Sequence, residues 1–552
     1  MADARTRPQH ARRRVRRRWF PVLVVAVLLF ASCIRATGLW FGLPYIYHYD
    51  EGGNFAVTQQ MVRDADWNPH GFAYGSLFFE VHTLPSIAAD LLDHGNLPRL
   101  DSPVAGTSKA PQPWVVVLDR LISLSFSVGI TGLAMVLGWL LTQRRGVALL
   151  AGFLAAVSPI VVDYGRLMTP DTQASFFVIA SLCAAVLILQ RGKTANYVMA
   201  GAFAGLATAT KYNTAIVLFS SVLAHALRVP WKRFLQGRLF LVLAAFVLAF
   251  VVTVPAVFLD FSHLIAGIRS ELHHYETGHP GAEGDSFDFY LTRIWLQEGP
   301  VVLFAPLALL CRRQIRSIAV VGLFVLGYFA LIAHYTVHFE RTLLPLEAPL
   351  LVLAAVGIFE AAGRLGHALS RARYRTTLRL PALAIVLVIV SIPLAHSSAD
   401  ALRLTHDERS TAQRWISQHV PAGERVVLEA WSPWVDTKKY TVFGENVVGA
   451  LPLAWFAQHN IGYIVLTERQ FGQLLAYPQL REAYRALFST FPTVAVFNQS
   501  HPFVANARQN QVDFWDNRIF VLDVRERSAC TLSRCGPPVP IDGVIPAAQK
   551  RG

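Results

Sequence analysis

Two adjacent carboxylates, Asp50 and Glu51, follow the first strongly apolar stretch of the chain. Such a pair suits two chemistries: it can supply a general base whose pKa is tuned by its neighbour, or oxygen ligands for a divalent cation. An acidic pair in a loop is usually only part of a solvated surface. Its position directly after an apolar segment makes this pair the first candidate site, with both chemistries open.

A third acid and several cations lie where other apolar stretches end or break. Near a membrane surface, a cation binds an anionic headgroup well, because charge-assisted hydrogen bonds to a phosphate are poorly screened there. The combination therefore suits a lipid phosphate that meets a carboxylate. For Arg35, inside the first apolar stretch, a side chain that reaches to the headgroups is the alternative. The residues are Asp171, Arg35, Arg166, Lys211 and Arg341.

The composition indicates a protein that crosses a membrane many times. Of the 552 residues, 53% are hydrophobic and only 16% are charged, which is too apolar for an ordinary soluble protein. The net charge of +14 comes from short basic clusters between apolar runs, a pattern typical of cytoplasmic loops rather than of a nucleic-acid-binding surface. We therefore predict an integral membrane protein whose partner is the bilayer and not nucleic acid.

The apolar runs predict a polytopic α-helical protein with about 11 transmembrane helices, since about 20 apolar residues span a bilayer core. The run 197–227 has basic clusters at both ends and is interrupted by Lys211-Tyr212-Asn213. It is therefore predicted to cross as two short halves, with Lys211 in a recess below the outer surface. The other predicted spans are 19–40, 114–141, 147–162, 172–189, 239–259, 299–311, 318–333, 343–359 and 381–396.

The distribution of Lys and Arg also predicts the orientation and the domains. Residues 1–18 form a basic cytoplasmic N-terminus, and residues 19–399 form the membrane domain. Residues 400–552 form a soluble α/β domain outside the cytoplasm. Within the membrane domain, residues 41–113 and 260–298 are predicted outer loops. The polar candidate residues named above then all lie on the outer side.

The soluble part shows one helical stretch followed by β-like runs, which is typical of a small α/β domain. In an oxidising compartment Cys530 and Cys535 could form a disulfide, and two reduced thiols are the alternative. The helical stretch is 410–419, and the β-like runs are 425–428, 462–466, 494–497 and 518–524.

The outer loop 260–298 is rich in histidine and contains His273, His274 and His279 beside acidic residues. Their spacing matches no zinc signature, so we interpret them as a polar surface that binds an acceptor. Glycines in the same loop favour a segment that can close over a substrate. Tyr74, in the loop 41–113, is the other residue predicted on the acceptor side.

The order of the polar motifs along the chain resembles that of the GT-C membrane glycosyltransferases. Within that class it is most similar to the protein O-mannosyltransferase and aminoarabinose transferase superfamily, whose members use polyprenyl-phosphate sugars as donors. The resemblance covers about residues 20–400. Its motifs are Arg35, His48-Tyr49-Asp50-Glu51, Trp67-Asn68-Pro69, Tyr74-Gly75-Ser76-Leu77, Ser158-Pro159, Arg166, Pro170-Asp171, 205–213 and Arg341 with Leu344-Pro345.

The resemblance implies roles for individual residues. Asp50 matches the catalytic aspartate that deprotonates the acceptor, and Glu51 is its partner in the motif. Asp171 matches a second acidic position that assists the site or an ion. The phosphate of the lipid would be held by Lys211 and Arg341, and also by Arg166 and Arg35. A divalent cation, Mg²⁺ or Mn²⁺, held by the three acids is an open option.

These features together predict an inverting glycosyltransferase that moves a sugar from a polyprenyl-phosphate donor to an acceptor hydroxyl, with Asp50 as the base. The acceptor can be a glycan, a lipid or a protein. A transporter or flippase without transferase activity is the main alternative, because many spans with buried charge describe those proteins too. A noncatalytic scaffold is a third. The expected location is a bacterial inner membrane.

Overall fold

The computed structural model describes residues 7–235, 237–279, 282–371, 379–404, 407–498 and 518–525. Up to residue 404 these residues are mostly helical, and from residue 407 they build a sheet with helices around it. Cys530 and Cys535 lie outside the described residues.

Six segments of the described chain are long and apolar enough to cross a membrane, and the shorter helices Arg145–Val157 and Gly237–Val252 are also apolar. The chain is therefore an integral membrane protein, as its composition predicts, while the count of about 11 crossings stays a prediction. The six segments are Trp19–Ala36, Pro113–Thr142, Pro170–Arg191, Ser286–Leu310, Arg312–Ala333 and Glu340–Leu365.

Helix ends in this region follow local sequence signals. Prolines open several helices, because a missing N–H costs nothing in the first turn; Pro113 and Pro170 are examples. The helices are α1 (Arg7–Ala36), α2 (Tyr49–Arg63), α3 (Ser76–His82), α4 (Leu84–Leu92), α5 (Pro113–Thr142), α6 (Arg145–Val157), α7 (Pro159–Tyr164), α8 (Pro170–Arg191), α9 (Thr194–Thr210), α10 (Leu218–Arg228), α11 (Gly237–Val252), α12 (Ala256–Leu259), α13 (Phe261–Thr277), α14 (Ser286–Glu298), α15 (Ile315–Ala333), α16 (Leu344–Arg371) and α17 (Arg379–Arg403). Short 3₁₀ helices occupy Tyr212–Val217, Trp231–Arg233, Gly299–Phe304, Pro306–Leu310, Arg312–Gln314 and Glu340–Leu343.

The predicted interruption at Lys211 is present. Helix α9 ends at Thr210, Lys211 has extended backbone angles of φ −149° and ψ 118°, and a 3₁₀ helix leads into α10. Two glycines bring α9 against α11: a Cβ on Gly201 would lie 2.1 Å from the Val242 carbonyl oxygen, and one on Gly205 would lie 2.4 Å from that of Phe246. Small residues four apart permit this close approach between apolar helices.

The region 260–298 differs from the predicted loop. It contains α13 and α14, and the segment Ser286–Leu310 joins α14 to two 3₁₀ helices where a separate short span at 299–311 was predicted. Charged residues such as Arg293 and Glu298 lower the hydropathy of this stretch and hide its helical continuity. Both side chains are buried in the fold.

The predicted outer loop 41–113 is folded. It contains α2, α3 and α4, and Pro85 lies in the first turn of α4. It also forms an antiparallel sheet of order β1-β3-β2, with β1 at Tyr45–Ile46, β2 at Asp101–Val104 and β3 at Thr107–Lys109.

The C-terminal part is the predicted α/β unit, a five-stranded sheet with helices. Strand order is β5-β4-β6-β8-β7; β4 runs parallel to β5 and β6, and β8 runs antiparallel to β6 and β7. The β-like runs coincide with β4, β6, β7 and β8, whereas β5 and α19 to α21 were not predicted. The predicted boundary at residue 399 falls inside α17. The elements are α18 (Glu408–His419), β4 (Arg425–Glu429), β5 (Thr441–Glu445), a 3₁₀ helix (Val448–Ala450), α19 (Leu453–Gln458), β6 (Tyr463–Thr467), α20 (Glu468–Leu474), α21 (Pro478–Thr490), β7 (Thr493–Phe497) and β8 (Ile519–Asp523).

The sheet of the C-terminal part packs directly on the folded loop 41–113. The Trp431 N–H donates to the Ala105 carbonyl at 2.9 Å, and the Thr107 hydroxyl donates to the Ser432 carbonyl at 2.6 Å. Nearby, Arg409 Nη1 donates to the Tyr47 carbonyl at 3.0 Å. These contacts fix the C-terminal part over the segment that holds Asp50.

Candidate active site

A cavity of about 530 Å³ lies between the membrane domain and the C-terminal part. Its volume is in the range of about 300–1,000 Å³ that is usual for small-molecule sites. Both parts supply its walls, so neither encloses it alone. The lining includes His48, Asp50, Tyr74, Tyr164, Glu271, His274, His279, Arg293, Phe339, Glu340, Arg341, Trp431 and Arg469.

Asp50 reaches this cavity from the first turn of α2. A carboxylate is favoured there, because the N–H groups of a helix start give the turn a partial positive charge. Its Oδ2 accepts a hydrogen bond from Arg341 Nη1. Asp50 therefore lies in the cavity opposite a cation.

Glu51 points away from the cavity. Its two oxygens accept hydrogen bonds from Arg120 Nε at 2.8 Å and Nη2 at 2.6 Å, and both side chains are fully buried. The Met168 N–H donates to it as well, at 3.3 Å. Arg120 also donates to the carbonyls of Leu39 and Phe41. Glu51 thus anchors α2 to α5 and to the chain before α8, and it does not line the cavity.

Asp50 belongs to a row of four alternating charges that also contains Arg341, Asp171 and Lys211. Lys211 Nζ donates to Asp171 Oδ1, and Arg341 Nε lies 3.9 Å from Asp171 Oδ2. Asp171 and Lys211 are buried behind the cavity wall rather than part of its lining. They can influence a bound phosphate through Arg341 and through the local field.

A glycine explains how Tyr74 is placed in the cavity. A Cβ on Gly75 would lie 1.9 Å from the Ala209 carbonyl oxygen, so only glycine lets this segment lie on the end of α9. The Gly75 N–H donates to the Thr210 carbonyl at 3.2 Å, and the Tyr212 hydroxyl donates to the Tyr74 carbonyl at 3.0 Å. Tyr74 is thereby fixed beside the break that contains Lys211.

Arg35 and Arg166 lie outside the cavity, contrary to the phosphate-binding role that the sequence predicts for them. Arg35 is fully buried and donates to the Ser127 hydroxyl at 2.6 Å and to three carbonyls of α1 and α6, each at 3.0 Å. Arg166 pairs with Asp163 and donates to the Thr37 carbonyl at 2.8 Å. Their guanidinium groups are used to join helices.

The side chains of the adjacent residues His273 and His274 lie in different surroundings. His274 lines the cavity and faces Phe339 and His279, with ring centroids 6.2 Å and 5.2 Å away. His273 is exposed on the other side of α13. Burial lowers the pKa of His274, and burial together with His274 and Arg469 lowers the pKa of His279. Both histidines therefore stay uncharged to lower pH than an exposed histidine.

Sequence reasoning missed two cations of the cavity, Arg293 and Arg469. Arg469, on α20, lies over the Trp431 ring at 4.6 Å from its centroid. Arg293, on α14, lies 5.2 Å from the centroid of Phe289 and 3.9 Å from Glu340 Oε1. Neither belongs to a short motif, since each is brought to the site only by tertiary packing.

Glu271 adds an acid to the same wall. Its pKa is raised, first because the carboxyl is desolvated by burial; the charge of Lys211 opposes the shift and that of Asp171 adds to it. The group therefore stays neutral to higher pH than an exposed glutamate.

The predicted metal ligands do not converge. Each of the three acids has its own cation: Arg341 for Asp50, Arg120 for Glu51 and Lys211 for Asp171. In the part of the chain that the structure describes, no three His, Cys, Asp or Glu residues are grouped to bind a metal. These side chains do not fit Mg²⁺ or Mn²⁺, which prefer several oxygen ligands around one point.

Comparison with known proteins agrees with this architecture. Residues 120–258, which include Asp171 and Lys211, match the family model described as dolichyl-phosphate-mannose-protein mannosyltransferase. The archaeal oligosaccharyltransferase AglB from Archaeoglobus fulgidus superposes with a TM-score of 0.52 at 13% identity, over 87% of this chain and 73% of AglB. The chain has a GT-C fold.

A second GT-C structure, ArnT from Cupriavidus metallidurans, matches 94% of this chain and 98% of its own at 15% identity, with a TM-score of 0.48. The AglB structure contains an inhibitory peptide and a dolichol-phosphate, and another ArnT structure contains undecaprenyl phosphate. No curated protein sequence matches the chain.

Proposed function

We propose that this protein is a membrane glycosyltransferase that moves a sugar from a polyprenyl-phosphate donor to an acceptor hydroxyl. The main support is the contact of Asp50 with Arg341 inside one cavity at the end of the membrane helices. The family match over residues 120–258 and the GT-C fold support the same reaction class.

The donor phosphate binds on the side of the cavity that holds Arg341, Arg293 and Arg469. An arginine has five N–H donors in a planar fork, so Arg341 can contact a phosphate and a carboxylate at once. The polyprenyl chain would leave this end of the cavity between the membrane helices. The aromatic wall around His274 and Phe339 offers apolar faces to the sugar.

The transfer is a single displacement. The acceptor oxygen gives its proton to Asp50 and forms a bond to the anomeric carbon, while the bond from that carbon to the phosphate oxygen breaks on the opposite face. The electron pair leaves with polyprenyl phosphate, and the sugar is inverted. A positioned base contributes about 10²- to 10⁴-fold to the rate of such a step.

Charge stabilisation comes from the cations around the leaving group. As the phosphodiester becomes a monoester, its added charge is neutralised by Arg341, with Lys211 behind it through Asp171. Preorganised charge in a water-poor site contributes a factor comparable to that of the base. Donor binding turns part of the Arg341 fork towards the phosphate, which weakens its hold on Asp50 so that the carboxylate can accept the proton. No step here is assigned to a metal, because the acids are paired with cations of the chain.

We also propose the orientation that the basic clusters predict. The N-terminus lies in the cytoplasm of a bacterium, and the cavity and C-terminal part face the outside of its inner membrane. The acceptor is then a molecule of the cell envelope.

Mass spectrometry of membrane lipids and surface glycans tests the function directly. A strain that lacks the protein should accumulate a polyprenyl-phosphate sugar and lose one glycosylated product, and the wild-type chain should restore both. Accumulation of a lipid on one side of the membrane with all glycans unchanged would favour the transporter or flippase instead.

A further inference from the structure

A second cavity, of about 620 Å³, meets the first one at Asp50. The two share Asp50, Tyr74 and Ala105 in their linings. The second cavity is bounded by the hairpin 102–108 between β2 and β3, by Gly52, Gly53 and Asn54 of α2, and by Gly444 of β5. Asp50 is thus accessible from two sides.

The two cavities differ in charge. The first contains Arg293, Arg341 and Arg469. Among the described residues that line the second, Asp50 is the only charged one. The other polar side chains are the hydroxyls of Tyr74, Ser102, Thr107 and Ser108 and the amide of Asn54, and backbone is exposed at Gly53. Ser102 and Ser108 are hydrogen-bonded to each other at 2.7 Å. The Thr107 hydroxyl donates to the Ser432 carbonyl and the Asn54 amide to the Met168 carbonyl, so these groups offer a ligand chiefly oxygen acceptors. An anionic ligand would meet a carboxylate there without a cation to balance it, so this wall favours a neutral ligand that forms many hydrogen bonds.

The face of α2 at Gly53 is open. Glycine inside a helix is less favourable than alanine by about 1 kcal/mol, and close packing against a neighbour is the usual reason for a glycine there. At Gly52 a Cβ would lie 3.2 Å from the Ser108 hydroxyl, but at Gly53 it would meet no described atom within 4 Å. Gly53 is exposed to the second cavity. The room beside this glycine is not needed by the protein's own side chains.

A peptide has no free strand to pair with in this cavity. The small sheet has two edge strands, β1 and β2, and of these only β2 lines the cavity. The edge of β2 faces β5: a Cβ on Gly444 would lie 2.4 Å from the Pro103 carbonyl oxygen. Extended peptides are commonly bound by addition to an open edge. With this edge covered and few apolar side chains nearby, recognition must come from hydroxyl and amide groups.

We propose that the second cavity binds the acceptor, and that this acceptor is a neutral saccharide. The inference rests on the proposed function and names its acceptor class. A hydroxyl of the bound saccharide lies against Asp50, gives it the proton, and attacks the anomeric carbon of the donor held in the first cavity. Donor and acceptor therefore approach Asp50 from opposite sides.

The test compares two glycine variants of the full chain in detergent. Gly53→Phe fills the second cavity, whereas Gly322→Phe places the same side chain at a glycine of α15 that also has no described atom within 4 Å of its Cβ. Gly53→Ala shows whether a small side chain is tolerated. Saturation-transfer NMR measures binding of methyl hexosides and maltotriose, with a neutral Ser/Thr peptide for comparison. Native mass spectrometry measures binding of undecaprenyl phosphate.

We expect wild type, Gly53→Ala and Gly322→Phe to bind the saccharides, and Gly53→Phe to bind them roughly tenfold more weakly or not at all, a loss of at least about 1.4 kcal/mol. All four should bind undecaprenyl phosphate alike. Equal saccharide binding by Gly53→Phe, no saccharide binding by wild type, or binding of the peptide alone would overturn the inference. Failure of wild type to bind undecaprenyl phosphate would instead count against the proposed function.

Discussion

The guanidinium of Arg341 joins two carboxylates: its Nη1 contacts Asp50 Oδ2, and its Nε lies 3.9 Å from Asp171 Oδ2. Lys211 contacts the other oxygen of Asp171. Four charges of alternating sign thus come together from α2, the 3₁₀ helix before α16, the start of α8 and the end of α9. Of these four side chains, Arg341 is the one that lies beside both Asp50 and Asp171.

Replacement of Arg341 should reduce transfer strongly. Arg341→Gln removes the cation that meets the phosphate and leaves Asp50 without its partner, so we expect a loss of roughly 10²- to 10³-fold in kcat/KM, the usual cost of one electrostatic contact in a reaction site. Arg364→Gln is the matched control, because Arg364 is an exposed residue of α16 that donates to the Leu310 carbonyl. Equal rates for the two variants would remove Arg341 from the mechanism.

Glu51 should matter for stability. Glu51→Gln breaks a fully buried bidentate pair and leaves Arg120 uncompensated, which typically costs about 3–5 kcal/mol. Thermal unfolding in detergent should show a clear drop for Glu51→Gln and little change for Asp50→Asn. The activity of the folded Glu51→Gln fraction should stay near wild type. A normal unfolding temperature combined with loss of transfer would assign Glu51 to the chemistry instead.

Glu271 should make donor binding depend on pH. Its raised pKa keeps the carboxyl neutral at lower pH, and ionisation as pH rises adds a negative charge to the cavity near Lys211 and Asp171. Binding of undecaprenyl phosphate should therefore weaken as pH rises through the range in which Glu271 ionises, and Glu271→Gln should remove that decline. The phosphate also titrates, with a pKa of about 6, so the informative quantity is the difference between the two proteins. Identical pH profiles would contradict the prediction.

Glu429 should make the C-terminal part less stable as pH rises from about 5 to about 8. It accepts hydrogen bonds from the Tyr484 hydroxyl at 2.5 Å and the Thr467 N–H at 3.1 Å, yet burial raises its pKa from 4.5 to about 8. The folded state then binds more protons than the unfolded state between these two values. The free energy of unfolding must fall as pH rises through that window, by about 1.4 kcal/mol for each unit of pKa difference.

Thermal unfolding of the C-terminal part, measured between about pH 5 and pH 8, shows whether the free energy of unfolding falls with rising pH. The melting temperature of the wild type should decrease towards pH 8. In Glu429→Gln, which cannot ionise there, the decrease should be absent. Glu482→Gln is a suitable control, since Glu482 lies on the surface of α21 and pairs with Arg485.

Much of the membrane domain could be predicted from the sequence, because apolar runs and basic clusters report directly on spans and loops. The break at Lys211 was predicted from one short polar interruption, whereas helix α2, which holds Asp50 in its first turn, was not predicted within the loop 41–113. The stretch 286–310 was misjudged because buried Arg293 and Glu298 resemble loop residues in sequence.

The assembly of the site depended on contacts that no local pattern reveals. Asp50 and Glu51 are neighbours in sequence, but the turn of α2 directs one to Arg341 in the cavity and the other to buried Arg120. Arg35 and Arg166 are cations near the same surface, yet carbonyls and Asp163 occupy their donors. Arg469 comes from the C-terminal part, and only the packing of the two parts brings it to the cavity.

The most direct test of the proposed reaction is the amount of glycosylated product made by Asp50→Asn in a strain that lacks the wild-type chain. Asparagine keeps the size and a hydrogen bond to Arg341 but cannot take the proton. We predict a fall in transfer of about 10²- to 10⁴-fold, with the thermal stability and the binding of undecaprenyl phosphate unchanged. Full transfer by a folded Asp50→Asn protein would contradict the assignment of Asp50 as the base.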